Sequence, residues 1–193
     1  MNKLKLLFLL FIILDVIADE GMWEPYELPK LESELKKSGF TKDVASLSNL
    51  FEHPMSAIVS LGGCSAAFVS PEGLIATNYH CIESSFLQYN SSDDENLFET
   101  GFLARSKDKE KRSAPGARVF ITIESEEITN QVLSGVNDET ESLERAKLIE
   151  NNKKRIIKQC ENSKEIECRV RTFFSGEVYK LEKLFKIKDV RLV

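Results

Sequence analysis

The stretch Gly62-Gly63-Cys64-Ser65-Ala66-Ala67-Phe68-Val69-Ser70-Pro71-Glu72-Gly73-Leu74-Ile75-Ala76-Thr77-Asn78-Tyr79-His80-Cys81 decides how the chain is read. Ala66, Ala67, Phe68 and Val69 form a short apolar run of β type. In Ser70-Pro71-Glu72-Gly73 the proline presets φ at the second turn position, and glycine suits the fourth. Leu74, Ile75, Ala76 and Thr77 then return as a second strand. With Ala57-Ile58-Val59 upstream, closed by Leu61-Gly62-Gly63, the pattern is a β-meander. Thr77-Asn78-Tyr79-His80-Cys81 leaves its end, which places His80 at the exit of a strand–turn–strand unit.

Outward from this unit the periodicity changes. Leu28, Leu31 and Leu35 fall on one helical face, which predicts a helix over 28–37 with Gly39 to end it. A second short helix is expected over 44–51, stopped before Pro54. Residues 90–116 are mostly polar, with Leu97-Phe98 and Gly101-Phe102-Leu103 as apolar anchors, and the charge run 107–112 reads as a solvated loop. Residues 118–123 alternate as a buried strand. The strongest helix signal covers 138–160. Asp138 and Glu141 form a capping-box pair, and Lys153, Lys154, Arg155 and Lys158 near the end complement the helix dipole. Its apolar face (Leu143, Ala146, Ile149, Ile156, Cys160) is thin. Residues 169–174 and 189–193 are further strand candidates. An apolar strand is an unusual terminus, so the expectation is a chain that stops within its fold.

The 193 residues, 42% hydrophobic and 30% charged, suit a globular domain or a piece of one. A net charge of −5 carries no electrostatic signal for nucleic acid, and two histidines argue against a multi-histidine metal site. At the N-terminus, Lys3 and Lys5 precede an apolar run over 6–14, and Val16-Ile17-Ala18 offers a cleavage site. This is the tripartite export pattern: residues 1–18 read as a signal peptide and the mature chain starts near Asp19. The competing reading, a membrane anchor, needs about 20 apolar residues, and Asp15 interrupts the run. No span is expected in the mature chain, which is periplasmic or secreted, so its cysteines meet an oxidising compartment.

Four cysteines are present. The hairpin would bring Cys64 back beside Cys81, a disulfide candidate whose loop closure is worth about 3 kcal/mol. Cys160 and Cys168 join a helix end to a strand start and make a second candidate pair; a redox pair would be expected at closer spacing. A metal site at Cys64, His80 and Cys81 lacks a fourth ligand at usable spacing. His53, before Pro54, has no supporting context. The residues themselves leave His80 open between a structural histidine beside a disulfide and a functional one. Asn90-Ser91-Ser92 is a sequon by chance pattern and predicts a surface loop.

The quoted stretch resembles the N-terminal signature of the bacterial dipeptidyl-peptidases of the S46 serine peptidase family, in which a GGC segment leads through F-V-S-P-x-G-L to T-N-H-H-C. Asp19-Glu20-Gly21-Met22-Trp23 resembles the family's mature start, Gly101-Phe102-Leu103-Ala104 an internal segment, and 189–193 a later strand. Two departures stand out: Tyr79 replaces the first histidine of the family's pair, and Ala66-Ala67 replaces a small pair containing glycine. The resemblance implies a mostly β fold with helices, namely the N-terminal barrel portion of a chymotrypsin-like double β-barrel. The chain would stop before the second barrel and the helical cap domain, so 19–193 would be an incomplete part of the catalytic domain. It implies that His80 is the triad histidine, with the aspartate and the serine beyond Val193. Within the chain, Ser60 and Ser65 lack a Gly-x-Ser-Gly context, and Asp93, Asp94 and Asp138 have no reason to buttress His80. The implied activity is release of dipeptides from oligopeptides with a free amino terminus, without cofactor or metal, and with a homodimer as the candidate full-length assembly. A trypsin-like endopeptidase half-barrel and a non-catalytic secreted β-domain for binding are the alternatives.

Overall fold

The computed structural model describes residues 23–137 and 139–193. The export signal, residues 19–22 and Asp138 of the capping pair therefore lie outside the described residues.

The meander forms as its sequence dictates. Strands β1 (Ile58–Ser60), β2 (Ser65–Phe68) and β3 (Ile75–Thr77) pair antiparallel in succession. Gly73 adopts φ +90°, a conformation that strains a residue with a Cβ, and its N–H meets the Ser70 carbonyl at 3.3 Å. After β4 (Lys111–Arg112) come β5 (Val119–Glu127), β6 (Ile166–Phe173), β7 (Val178–Ile187) and β8 (Arg191–Leu192). The main sheet has six strands in the order β3-β2-β1-β5-β7-β6, with every neighbouring pair antiparallel. β4 and β8 form a separate ribbon. Helices α1 (Glu32–Lys37), α2 (Leu97–Thr100), α3 (Thr129–Val132) and α4 (Ser142–Cys160) complete a mixed helix-and-sheet domain.

Two apolar clusters hold it together. Val59, Ala66 and Val119 pack with Leu61, Phe68, Ile75, Ile121 and Ile187, which joins the meander to β5 and β7. The register explains the cluster, since Val119 sits opposite Ile187 and places both side chains on one face. A bulge between Thr122 and Glu124 then shifts the pairing. Beyond it, Ile128, Val132, Ile156 and Tyr179 form the second cluster, where α3 and α4 cover the far end of β7.

Several elements differ from the sequence expectation. Residues 25–31 wind as a 3-10 turn, and α1 occupies only Glu32–Lys37. Pro29 lies inside the first part and has no N–H for a helical ladder. Of 44–51 only Ala45–Leu47 is helical. Asp43 Oδ1 accepts from the Ala45 amide (3.1 Å) and Asn49 Oδ1 from the Phe51 amide (2.9 Å), local bonds that compete with a helix. The long helix begins at Ser142, not 138. Asn137 Oδ1 instead accepts from the Glu139 amide and the Thr140 hydroxyl, which folds the approach into a turn. The charge run is not wholly a solvated loop: Lys111 and Arg112 form β4 against β8, and Lys111 pairs with Glu95 at 3.0 Å. Of 189–193, only Arg191–Leu192 is strand.

Candidate active site

The His80 turn is assembled from the hairpin outward. Thr77 donates its hydroxyl to the Ser65 carbonyl across β2–β3 at 2.9 Å, tying the strand ends. Asn78 stays extended. Tyr79–Cys81 then closes a 3-10 turn through Cys81 N–H to Asn78 O (3.0 Å) and Ile82 N–H to Tyr79 O (3.0 Å). A π-helical turn, Glu83–Gln88, follows and buries Phe86 and Leu87, which anchors the far side. On the near side Gly62, at φ +91°, turns β1 into β2, and Leu61 N–H meets Cys64 O at 2.8 Å.

This backbone sets the Cα atoms of Cys64 and Cys81 6.0 Å apart, with their sulfurs bonded. His80 is exposed, yet one of its ring nitrogens lies close to that bond: one ligand-capable atom from each of Cys64, His80 and Cys81 lies within 4.8 Å of the other two, and no carboxylate belongs to the group. The bonded sulfurs are not thiolates, so as described the trio holds no metal. The result is an imidazole open to solvent on a covalently pinned turn, a posture suited to proton transfer with a group approaching from outside.

The other sequence candidates fall elsewhere. Cys160 and Cys168 are bonded across the end of α4 and the start of β6, with Cα atoms 6.1 Å apart. His53, Ser65, Asp93 and Asp94 are exposed. The Ser60 hydroxyl accepts from the Gly62 amide at 3.1 Å, which gives it a turn-forming role. Asn90 donates its side-chain amide to the carbonyls of Phe86 (2.8 Å) and Arg112 (2.9 Å), so the sequon nitrogen braces the π-turn against β4.

One feature lacked a sequence signal. Lys180 is buried on β7, where it pairs with Glu24, donates a 2.6 Å hydrogen bond to the Tyr26 hydroxyl and lies 4.3 Å from the centre of the Tyr26 ring. Burial pushes its pKa down. Its neighbourhood opens into a cleft of about 450 Å³ that includes Tyr26, Phe51 and Glu127 but no residue of the His80 turn. A lysine in a strand of alternating charges gives no hint of burial until the N-terminal segment is laid over it.

Comparison with known proteins places this geometry. An Asp/Glu-specific dipeptidyl-peptidase of Shewanella putrefaciens is 42% identical over 176 residues, covering 91% of this chain and 24% of that protein. Dipeptidyl-peptidase 7 of Porphyromonas gingivalis is 34% identical over 184 residues, covering 91% of this chain and 25% of that protein. The chain thus spans about a quarter of the length of these relatives. A crystal structure of Porphyromonas endodontalis DPP11 in complex with substrate superposes with a TM-score of 0.73 at 25% identity, over 91% of this chain and 26% of that one. Among the described residues no helix is long and apolar enough to cross a membrane. The sequence pattern of one peptidase family, peptidase S46, runs through residues 18–193 and takes in the meander, the pinned turn and the closing ribbon, and the chain belongs to that family.

Proposed function

We propose that the full-length protein is an exported serine-type dipeptidyl-peptidase in which His80 is the general base. Residues 1–18 are its export signal, and 19–193 are part of its catalytic domain. The serine nucleophile and the aspartate that orients the imidazole lie beyond Val193. In the reaction His80 takes the proton from the serine hydroxyl as it attacks the peptide carbonyl. It then gives that proton to the leaving amine, and the cycle repeats with water. The observation that carries the reading is the exposed imidazole of His80 on a disulfide-pinned turn, at the exit of a β-hairpin, in a chain of the peptidase S46 family. Oligopeptides with a free amino terminus are the substrates. An acidic second residue is the preferred one, supported by the names of relatives such as the Shewanella putrefaciens enzyme.

The test uses the full-length protein and fluorogenic dipeptide substrates with a free amino terminus, one set acidic and one hydrophobic at the second position. The expected result is turnover on the acidic set, and a loss of at least about a thousandfold in kcat for His80→Ala with an unchanged circular dichroism spectrum. Near wild-type turnover in the variant would remove His80 from the reaction. No dipeptide release by the full-length protein would favour a binding domain instead.

A further inference from the structure

The juxtaposition of Cys64, Cys81 and His80 has a second chemical capacity, masked by the bond between the sulfurs. We propose that reduction of Cys64–Cys81 opens a site for a thiophilic divalent cation, zinc foremost, with the two cysteine sulfurs and a His80 ring nitrogen as its ligands.

Geometry is the first support. A tetrahedral zinc with sulfur at about 2.3 Å and nitrogen at about 2.1 Å separates its ligand atoms by about 3.5–3.8 Å. The three groups already lie within 4.8 Å of one another. The sulfurs need only part by less than about 2 Å, and the imidazole need only close by about 1 Å. Side-chain rotation can supply both, given Cα atoms 6.0 Å apart.

Persistence after reduction is the second. The hairpin that sets this spacing is held by bonds that do not involve the disulfide: Leu61 N–H to Cys64 O, Cys81 N–H to Asn78 O, and the Thr77 hydroxyl to Ser65 O. Chemistry is the third. Two thiolates and an imidazole match zinc and not magnesium or calcium. Lack of a fourth protein ligand is no bar, because zinc sites with three protein ligands keep a fourth position for water, and His80 faces solvent.

The step balances with a dithiol as reductant. The dithiol transfers two electrons and two protons to the Cys64–Cys81 bond and leaves as its own cyclic disulfide, giving two cysteine thiols. The cation then binds as both thiols release their protons, so the bound site of one dication and two thiolates is neutral. A metal-held imidazole has no free nitrogen at the metal-bound position. If the proposed function holds and the bound nitrogen is the one that takes the serine proton, the loaded form is a blocked peptidase, and reoxidation with loss of metal restores it.

The site is tested with cobalt(II) as a spectroscopic stand-in, on the full-length protein carrying Cys160→Ser and Cys168→Ser so that Cys64 and Cys81 are the cysteines left in residues 1–193, with the same protein carrying Cys64→Ser and Cys81→Ser as the reference for cobalt bound elsewhere. The reduced, reductant-free protein is expected to bind one equivalent of cobalt. It should show thiolate-to-cobalt charge-transfer bands and tetrahedral ligand-field bands, zinc should bleach them, and the oxidised protein should show neither. His80→Ala in the same background should weaken cobalt binding at least about tenfold and shift the ligand-field bands. Absence of thiolate bands in the reduced protein would overturn the proposal. So would bands indifferent to His80→Ala, or a reduced protein without native circular dichroism, since its ligands would no longer be juxtaposed. The readout is independent of peptide hydrolysis, so this site can fail while the proposed activity stands, and the reverse.

Discussion

Glu167 and Asp189 each face an arginine, and each is held ionised by it. For Glu167, partial burial pulls its pKa upward. The hydrogen bond and charge of Arg169 at 2.7 Å, with help from Lys186, outweigh that pull, and the net effect is a lowered pKa. For Asp189, the hydrogen bond from Arg191 dominates and lowers it. A carboxylate with a lowered folded pKa contributes stability that is complete above its ordinary value, and loses it as pH falls through the lowered one. For Glu167 that window opens below its ordinary 4.5. Glu167→Gln should therefore melt below the wild type at pH 7, and the gap should narrow on acidification to below the lowered folded value. Calorimetric melts of both proteins across that range check it, and a gap that widens in acid would reverse the assignment.

At the scale of elements, what the sequence disclosed follows from how local the causes were. The β2–β3 hairpin was legible because Pro71 and Gly73 fix a turn between apolar runs. So was the presence of α4, through its acidic start and late basic residues. β7, the longest strand of the sheet, carries no such local signal. Lys180, Glu182, Lys183 and Lys186 break its apolar alternation, and they belong there only because their partners lie on other strands and on the N-terminal segment: Arg171 for Glu182 at 3.0 Å, Glu124 for Lys183 at 3.5 Å, Glu24 for Lys180. The start of α4 differs from its expected place for a similar reason, since Asn137 and Thr140 satisfy each other first, whereas its end at Cys160 agrees. For the site, the position of His80 and both cysteine pairings were readable, whereas the buried Lys180 was not. The thin apolar face of α4 makes a sharp prediction. Ile156, 5% exposed in the second cluster, should cost about 2–4 kcal/mol on replacement by alanine. Leu143 on the same helix, 59% exposed, should cost less than about 0.5 kcal/mol. Urea denaturation of the two variants separates them, and equal losses would mean that α4 docks by a different face.

For the whole molecule, the chain's share of its relatives' length bears directly on activity. Under the proposed function, residues 19–193 carry a base without its nucleophile, which has no acyl-enzyme route, and an imidazole without its aspartate, unset in tautomer and direction. Residues 19–193 produced alone should therefore release no dipeptide from the substrates proposed for the full-length protein. Measurable turnover by that segment would place the missing groups within it.

The end position of β6 in the sheet order has a consequence for colloidal behaviour. A long strand with one unpaired side is a template on which other chains can add. Here it carries Glu167, Arg169 and Arg171, and the Cys168 amide donates to Glu161 Oε1 at 3.2 Å. Those charges make burial of the edge against another chain costly in desolvation. Arg169→Val with Arg171→Val would leave a run of Cys168, Val170, Thr172 and Phe173 with valines between them, a β-prone, uncharged segment. Concentrated solutions of the double variant should develop thioflavin-positive fibrils under gentle agitation where the parent stays clear. Equal clarity of both would mean that the edge is guarded by its cover of backbone and loop and not by its arginines.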